Sequence, residues 1–341
     1  MPGPEYYRPL AVPDAVRPDA AQPLAGGASW FSHAQVLRRD GAARIIPADN
    51  IPPDILQNLT GRRAPVLGLT LERPRLMGVV NATPDSFSDG GQFADAGAAI
   101  DHARALLEQG ADILDIGGES TRPGSKAVDP DTESDRVIPV IRALFKEYPA
   151  NISVDTRKAG VAARAITHGA RMINDVSALE YDADMAKVAA TSPAAVCLMH
   201  AQGDPRTMQI DPVYDDVLLD VYDYLKARIA FCEGLGIARD RIVIDPGIGF
   251  GKTLAHNLAL IRGLSLFHGL GCAVLLGASR KRFVGTISGE NVAARRAPGS
   301  IAVALEGLRQ GVQMLRVHDI SETAQAVALW RAMHHGFENE R

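Results

Sequence analysis

The side chains of this chain that could do chemistry fall mostly in one kind of place, at or near the end of a short apolar run. LMGVVN ends on Asn81, ILDIGG on Gly118, ISVD on Asp155, RMIND on Asp175, AVCLMH on His200, RIVID on Asp245, AVLLGAS on Ser279 and QMLRVH on His318. Asp155 and Asp245, with Asn174 between them in sequence, close runs that otherwise bury. Acids in such surroundings are costly unless a ligand, a cation or an internal ion pair with Lys281 or Arg280 satisfies them. Together they suit a flat heterocycle rich in N–H donors, because one carboxylate accepts two parallel hydrogen bonds. The opposite chemistry sits at the last two runs. Arg316 and His318 are two apart on a strand, so they share a face and can grip one anion. Ser279-Arg280-Lys281 falls where a helix should start, a place that also favours anions. His200 reads equally as a hydrogen-bonded wall residue or a catalyst, and His33, His102, His168, His256, His268, His334 and His335 are expected at the surface.

Two polar, glycine-rich stretches follow the first two runs. Residues 81–91, NATPDSFSDGG, and 119–125, ESTRPGS, have the composition of substrate lids. Phe87 either tucks against the body of the protein or covers a ligand, and Arg122 reads as a solvated charge or an anion clamp. DPGIGFGK, from Asp245 to Lys252, lacks the spacing of a nucleotide-binding P-loop; its glycines instead allow backbone to approach a ring closely.

The elements that must position these residues follow from periodicity. The eight apolar runs read as parallel strands covered on both faces. Stretches with apolar residues at three- and four-residue spacing lie between them, over residues 96–109, 132–148, 158–168, 214–235, 254–266, 292–310 and 322–333, with a short one at 182–191. Eight alternations predict a (β/α)8 TIM barrel, an α/β fold whose chemistry gathers at the carboxyl ends of its strands. Eleven of the 21 prolines fall in residues 1–74, so the expected division is a proline-rich N-terminal extension over 1–72 and the barrel over 73–341. The extension reads as a cap or dimer contact, its first 25 residues extended and mobile. Residues 30–37 and 43–46 are expected to form a strand or helix pair, and Val66 to Leu71 a strand closing the barrel floor.

Length and composition agree. A chain of 341 residues, 46% hydrophobic, accommodates one barrel of about 250 residues plus an appendage. The net charge of -4 provides no general attraction for nucleic acid or an anionic membrane. Three scattered cysteines indicate neither a disulfide framework nor a zinc site. No signal-like segment or apolar stretch of roughly 18 residues is present, so a cytoplasmic protein is expected.

The motifs NATPDSFSDGG, DIGGESTRPGS, SVDTRK, INDVSA, LMH, IDPGIGFGK, GASRK and RVHD, in this order from about Arg73 onward, resemble those of the dihydropteroate synthases, the pterin-binding barrels of folate biosynthesis. The resemblance implies condensation of 6-hydroxymethyl-7,8-dihydropterin diphosphate with 4-aminobenzoate to give 7,8-dihydropteroate and pyrophosphate. It also implies Mg2+, a homodimer and sulfonamides as inhibitors. By position, Asp155, Asn174, Asp245, Lys281, Met199 and Phe250 would line the pterin pocket. Asn81, Arg316 and His318 would lie at the diphosphate, with Asn81 as the single protein ligand to Mg2+, and Arg316, His318 and Lys281 would act in catalysis. Phe87, Thr121, Arg122, Pro123 and Arg282 would form the 4-aminobenzoate site; many relatives have serine where this chain has Arg282. A pterin-binding methyltransferase shares the barrel and the acidic pocket but has no need of a diphosphate clamp. A catalytically silent pterin-binding barrel would not need polar ends on so many strands. A Schiff-base aldolase using Lys281 fits poorly, because Arg280 and Arg282 flank the lysine where an apolar pocket would be required.

Overall fold

The structure is a computed structural model that describes residues 3–83, 92–120, 125, 127–147, 151–203 and 207–336. Eight parallel strands close into a barrel in chain order: β6 (Arg75–Asn81), β7 (Ile113–Gly117), β8 (Asn151–Asp155), β9 (Met172–Asp175), β10 (Ala195–Met199), β11 (Ile242–Asp245), β12 (Ala273–Leu276) and β13 (Met314–Val317). Around them lie α2 (Gln92–Glu108), α3 (Pro130–Glu147), α4 (Ala159–Thr167), α5 (Met185–Thr191), α6 (Val217–Gly234), α7 (Leu254–Arg262), α8 (Arg282–Ser288), α9 (Ala297–Arg309) and α10 (Ile320–His335). Two of the expected helices are interrupted. The stretch from Leu254 ends its α-helix at Arg262 and continues past Gly263 as a 3-10 helix, Leu264–Leu270. The stretch from Val292 begins with a 3-10 turn and becomes α-helical only at Ala297, because Pro298 is tolerated in a first turn and not inside a helix.

The two-residue period of the strands decides where each side chain goes. Leu76, Val80, Leu114, Ile116, Ile152, Val154, Ile173, Val196, Leu198, Ile244 and Leu315 pack outward against the helices. The alternate residues Met77, Ile113, Met172, Ala195, Cys197, Val243, Leu275 and Met314 fill the barrel. Continuing that second set by two or four residues along its strands reaches Asn81, Asp115, Gly117, Asn174, Met199, Asp245 and Arg316, and on β8 the same step from Ser153 reaches Asp155. On most strands one face is therefore apolar at its start and polar at its carboxyl end.

The extension is ordered over most of its length. Strands β1 (Tyr6–Pro9), β4 (His33–Leu37) and β5 (Arg44–Pro47) form an antiparallel sheet in the order β1-β4-β5, and β2 (Gln22–Pro23) pairs with β3 (Trp30–Phe31). With α1 (Pro53–Thr60) they enclose a small core of their own, containing Leu24, Phe31, Val36 and Leu59. The expectation of a mobile first 25 residues is thus corrected: Tyr6 to Pro9 pair with Leu37 to Ala34, and Leu24 is 1% exposed. Polar stitches fix this unit to the barrel. The Tyr6 hydroxyl donates to Asp223 of α6 at 2.7 Å, Arg39 reaches Asp220 and Asp223, and Ser265 donates to the Pro9 carbonyl.

Residues 66–71 are also placed differently from the expected strand. Val66 and Leu69 exchange backbone hydrogen bonds across a tight turn with Leu67 in the left-handed region, φ 55°. Val66 and Leu67 pack among the first interior side chains of the strands, so the segment does close the floor, as an apolar plug. His268, expected at the surface, is fully buried and bonds the Gln310 carbonyl at 2.8 Å. No described helix is long and apolar enough to cross a membrane.

Arg63 joins the extension to the barrel. Its buried guanidinium donates to the carbonyls of Cys272, Gly61, Asn58 and His268 at 2.8–3.0 Å. Arg63→Met leaves these acceptors unmatched and is expected to cost about 2–4 kcal/mol of stability, read as a lowered urea midpoint.

Candidate active site

The carboxyl end of the barrel is built around one arginine. Arg316, on β13, donates from Nε to Asp115 Oδ2 at 2.6 Å and from Nη2 to Asp155 Oδ2 at 2.8 Å. Asp115 lies on β7 and Asp155 on β8, so the guanidinium reaches across the barrel mouth. Asn174 of β9 donates to the same Asp115 oxygen at 3.0 Å. This refines the expectation for Asp155: its cation is neither Lys281 nor Arg280 but Arg316. Asp115 was missed, although an acid inside the apolar run ILDIGG was its signal. Asp115 Oδ1 and Asp155 Oδ1 are buried and have no hydrogen-bond partner among the described residues. Burial pushes Asp155 up to about 7, with the negative charge of Asp115 adding to the rise and Arg316 opposing it.

Asp245 approaches from β11, in register with Met199 of β10. Its Oδ1 accepts the Gly247 amide at 2.7 Å; burial still raises its pKa, and that amide together with Lys281 pulls it back. At Gly277 a Cβ would lie 3.2 Å from Asp245 Oδ2 and 3.9 Å from Arg316 Cδ, so the missing side chain keeps this wall open. Lys281 Nζ lies 3.9 Å from the centre of the Phe250 ring, within cation–π range. Pterin-pocket candidates Asp155, Asn174, Asp245, Met199, Phe250 and Lys281 thus all fall at this end of the barrel.

The loop from Asp245 to Lys252 carries Phe250. Gly247 has φ 70°, and a Cβ there would sit 1.9 Å from the His200 carbonyl oxygen, so only glycine fits. Beneath the loop, Lys252 Nζ contacts His200 Nδ1 at 2.9 Å, the His200 carbonyl at 3.2 Å and the Phe250 carbonyl at 2.9 Å. Burial lowers Lys252 to about 7 and holds the His200 imidazole far below its ordinary range, hence neutral. Of the two readings of His200, the wall residue is the one its contacts match.

The candidate anion side differs in detail from the expected shared grip. Arg316 turns inward onto the acids, whereas the His318 amide and Nδ1 lie 3.2 and 3.0 Å from Ser279 Oγ. Arg280 pairs with Asp319 through one guanidinium edge, Nε to Oδ2 at 3.0 Å and Nη2 to Oδ1, and holds a left-handed backbone, φ 58°. That kink separates β12 from α8, with Lys281 at the junction. Arg282 is exposed at the first position of α8. Asn81 ends β6, in register with Gly117 of β7. Phe87, Thr121, Arg122 and Pro123 lie outside the described residues. At the root of the second loop, Glu119 binds Arg157, Lys158 and the Val128 amide, and Lys158 also binds Glu133. That buried cluster was missed too, since single charges beside a strand end carry no sequence signal for pairing.

Residues 77–318 match the family described as pterin binding enzyme. A dihydropteroate synthase of Neisseria meningitidis serogroup B is 48% identical over 268 residues, 77% of this chain and 94% of that protein. A structure of the Xanthomonas albilineans dihydropteroate synthase with 4-aminobenzoic acid superposes with a TM-score of 0.74 at 46% identity, covering 78% of this chain and 94% of that one. The Yersinia pestis dihydropteroate synthase in a sulfonamide drug complex gives 0.73 at 43% identity, over 79% and 98% of the two chains.

Asp155 should respond in opposite directions to its two charged neighbours. Asp115→Asn removes a negative charge and is expected to lower the Asp155 midpoint; Arg316→Met removes the opposing cation and is expected to raise it. Carboxyl 13C NMR titration of the two variants checks both signs.

Proposed function

The chain belongs to the pterin-binding enzyme family, and we propose that its barrel works as a dihydropteroate synthase. It is a transferase, joining 6-hydroxymethyl-7,8-dihydropterin diphosphate to 4-aminobenzoate and releasing pyrophosphate, a step of folate biosynthesis. The observation that carries this reading is the unfinished hydrogen bonding at the barrel mouth. Asp115 and Asp155 each keep one buried carboxylate oxygen without a partner among the described residues, beside Asn174 and Asp245. Buried acceptors of that kind call for a planar ligand with N–H donors, which the pterin ring provides.

In the proposed mechanism, Asp155, Asn174, Asp245 and Met199 receive the pterin, and Phe250 and Lys281 flank it. The bond between the methylene carbon and the diphosphate oxygen breaks with both electrons leaving on oxygen. Positive charge develops on the methylene and spreads into the ring, where the buried acids stabilise it. The aromatic amine, neutral near pH 7, then forms the new carbon–nitrogen bond and releases a proton, so no strong general base is required. Arg316 commits Nε and Nη2 to the acids; Nη1, which takes part in neither bond, and His318 are the donors we assign to the diphosphate. The aminobenzoate site we assign to Phe87, Thr121, Arg122, Pro123 and Arg282.

Mg2+ belongs to this reading. No group of three or more His, Cys, Asp or Glu side chains suited to a metal occurs among the described residues, while Asn81 presents a hard amide oxygen at a strand end. That donor set fits an ion that draws most of its shell from water and diphosphate. When bound it would neutralise charge on the departing group, with Asn81 as its protein ligand. A homodimer, sulfonamide inhibition and a cytoplasmic location belong to the same proposal. Exposed Leu329 and Met333 on α10 and Ile287 on α8 offer apolar surface for a second copy. Residues 1–72 we read as a cap on the barrel floor.

Release of pyrophosphate on mixing the two substrates tests the activity, and its absence with correctly folded protein would refute it. Asp245→Asn turns one acceptor into a donor facing ring N–H groups and is expected to weaken pterin binding by about 2–3 kcal/mol in calorimetry. Arg316→Ala is expected to lower turnover by roughly 10² or more, as for the loss of one preorganised anion donor.

A further inference from the structure

Lys252 is 3% exposed, and none of its three hydrogen-bonding contacts is a carboxylate. A charged amine in that setting is expensive to bury, so its retention needs a reason beyond filling space. The geometry provides one. A protonated amine has three donors, and here three acceptors surround it: His200 Nδ1, the His200 carbonyl and the Phe250 carbonyl. Neutral His200 accepts at Nδ1 and carries its proton on Nε2, and its ring is packed edge-on against Tyr224 at 4.8 Å. Deprotonated, the amine would have two donors and a lone pair, and would keep all three ties only if His200 moved its proton from Nε2 to Nδ1.

The tie joins two elements of the site. His200 follows β10, and Phe250 belongs to the glycine loop after β11. The loop has neutral supports as well: Gln209 donates to the Gly249 carbonyl, Tyr214 to the Gly251 carbonyl, and Asn257 accepts from the Gly249 amide. Lys252 adds a charged one at the residue whose ring meets Lys281.

We propose that Lys252 is a positioning residue of the pterin site, its protonated amine locking the Phe250 carbonyl to His200 and so holding the Phe250 ring against Lys281 in the arrangement that receives the pterin. The inference rests on the reading of this cavity as a pterin site. Other titratable groups facing the region are Asp245 from β11, which favours the charged amine, and Lys281 from the start of α8, which opposes it. Tyr214 ahead of α6, Tyr224 on α6 and His256 on α7 complete the surround. With burial bringing Lys252 near 7, a ligand that needs the charged amine must, by reciprocity, hold its proton more tightly.

The probe is 6-hydroxymethylpterin, which has no phosphate of its own to titrate. Wild type must bind it; if it does not, the pterin reading itself fails. Given binding, Lys252→Met is expected to weaken it about tenfold or more, as for a lost bond to a charged donor, in protein that still unfolds cooperatively. Phe250→Leu should weaken it as well, and the double variant should be no worse than the weaker single one, because both act on one contact. Lys252→Met binding within about twofold of wild type, or additive losses, would overturn the proposal. Should that variant not fold, wild type remains informative. With 13Cε-lysine, one of the seven lysines should titrate near neutrality, and saturating pterin should move its midpoint upward. A midpoint that pterin leaves in place would refute the coupling.

Discussion

The mouth of this barrel is arranged around one half-buried arginine held between two acids. Asp115 is wholly buried and the half-buried Arg316 keeps its proton, so each offsets the cost of placing the other's charge there. Once paired, they place the remaining groups. Asn174 is drawn to the Asp115 oxygen that Arg316 also uses, and Asp155 shares the guanidinium from the neighbouring strand. The pairing uses one oxygen of each acid and leaves the other. A site completed by hydrogen bonds on every side would have nothing to offer a ligand; this one is held rigid by half its acceptors and is open through the rest.

Much of that arrangement was legible because strand chemistry is local. The eight apolar runs had to be buried, their two-residue period had to send alternate side chains into the barrel, and Asp155, Asn174 and Asp245 therefore fell on the inward face. Which cation met which acid was not legible. Arg316 and His318 share a strand face, yet Arg316 turns toward acids on β7 and β8 while His318 meets Ser279, and only the closure of the barrel brings those partners within reach. Asp115 escaped notice for a similar reason, since an acid in the middle of an apolar run has no local partner to mark it. The extension misled through composition. Proline richness suggests mobility, but Pro9 ends a paired strand, Pro52 and Pro53 start α1, and the apolar residues between them are enough for a small core.

The floor and the mouth are mechanically related. The first interior side chains of the strands need a cover at the amino end, and the turn at Val66 and Leu67 supplies it as a plug. Arg63, three residues before that turn, ties it to the carbonyls of His268 and Cys272, the latter the residue just before β12. The strand that ends toward Arg280 and Lys281 is thereby anchored at both ends: by Arg63 at the floor, and at the mouth by the pairing of Arg280 with Asp319. The extension is far from the proposed chemistry but sits on the same strands that carry it.

Charge at the site is nearly balanced, and that balance bears on how a diphosphate ester could be handled there. Asp115, Asp155 and Asp245 face Arg316, Lys281 and Lys252, and two of these groups, Asp155 and Lys252, are held by burial near 7. Groups poised there change protonation in response to a modest field. An arriving diphosphate raises the negative potential and favours the protonated form of both, whereas positive charge developing on the pterin methylene favours the ionised carboxylate of Asp155. Asp155, raised by burial and opposed by Arg316, is thus the acid of the three whose charge responds most readily to what binds beside it. A site lined only by fully ionised acids would repel the substrate it has to receive, and one lined by neutral groups would leave the developing cation without a counter-charge.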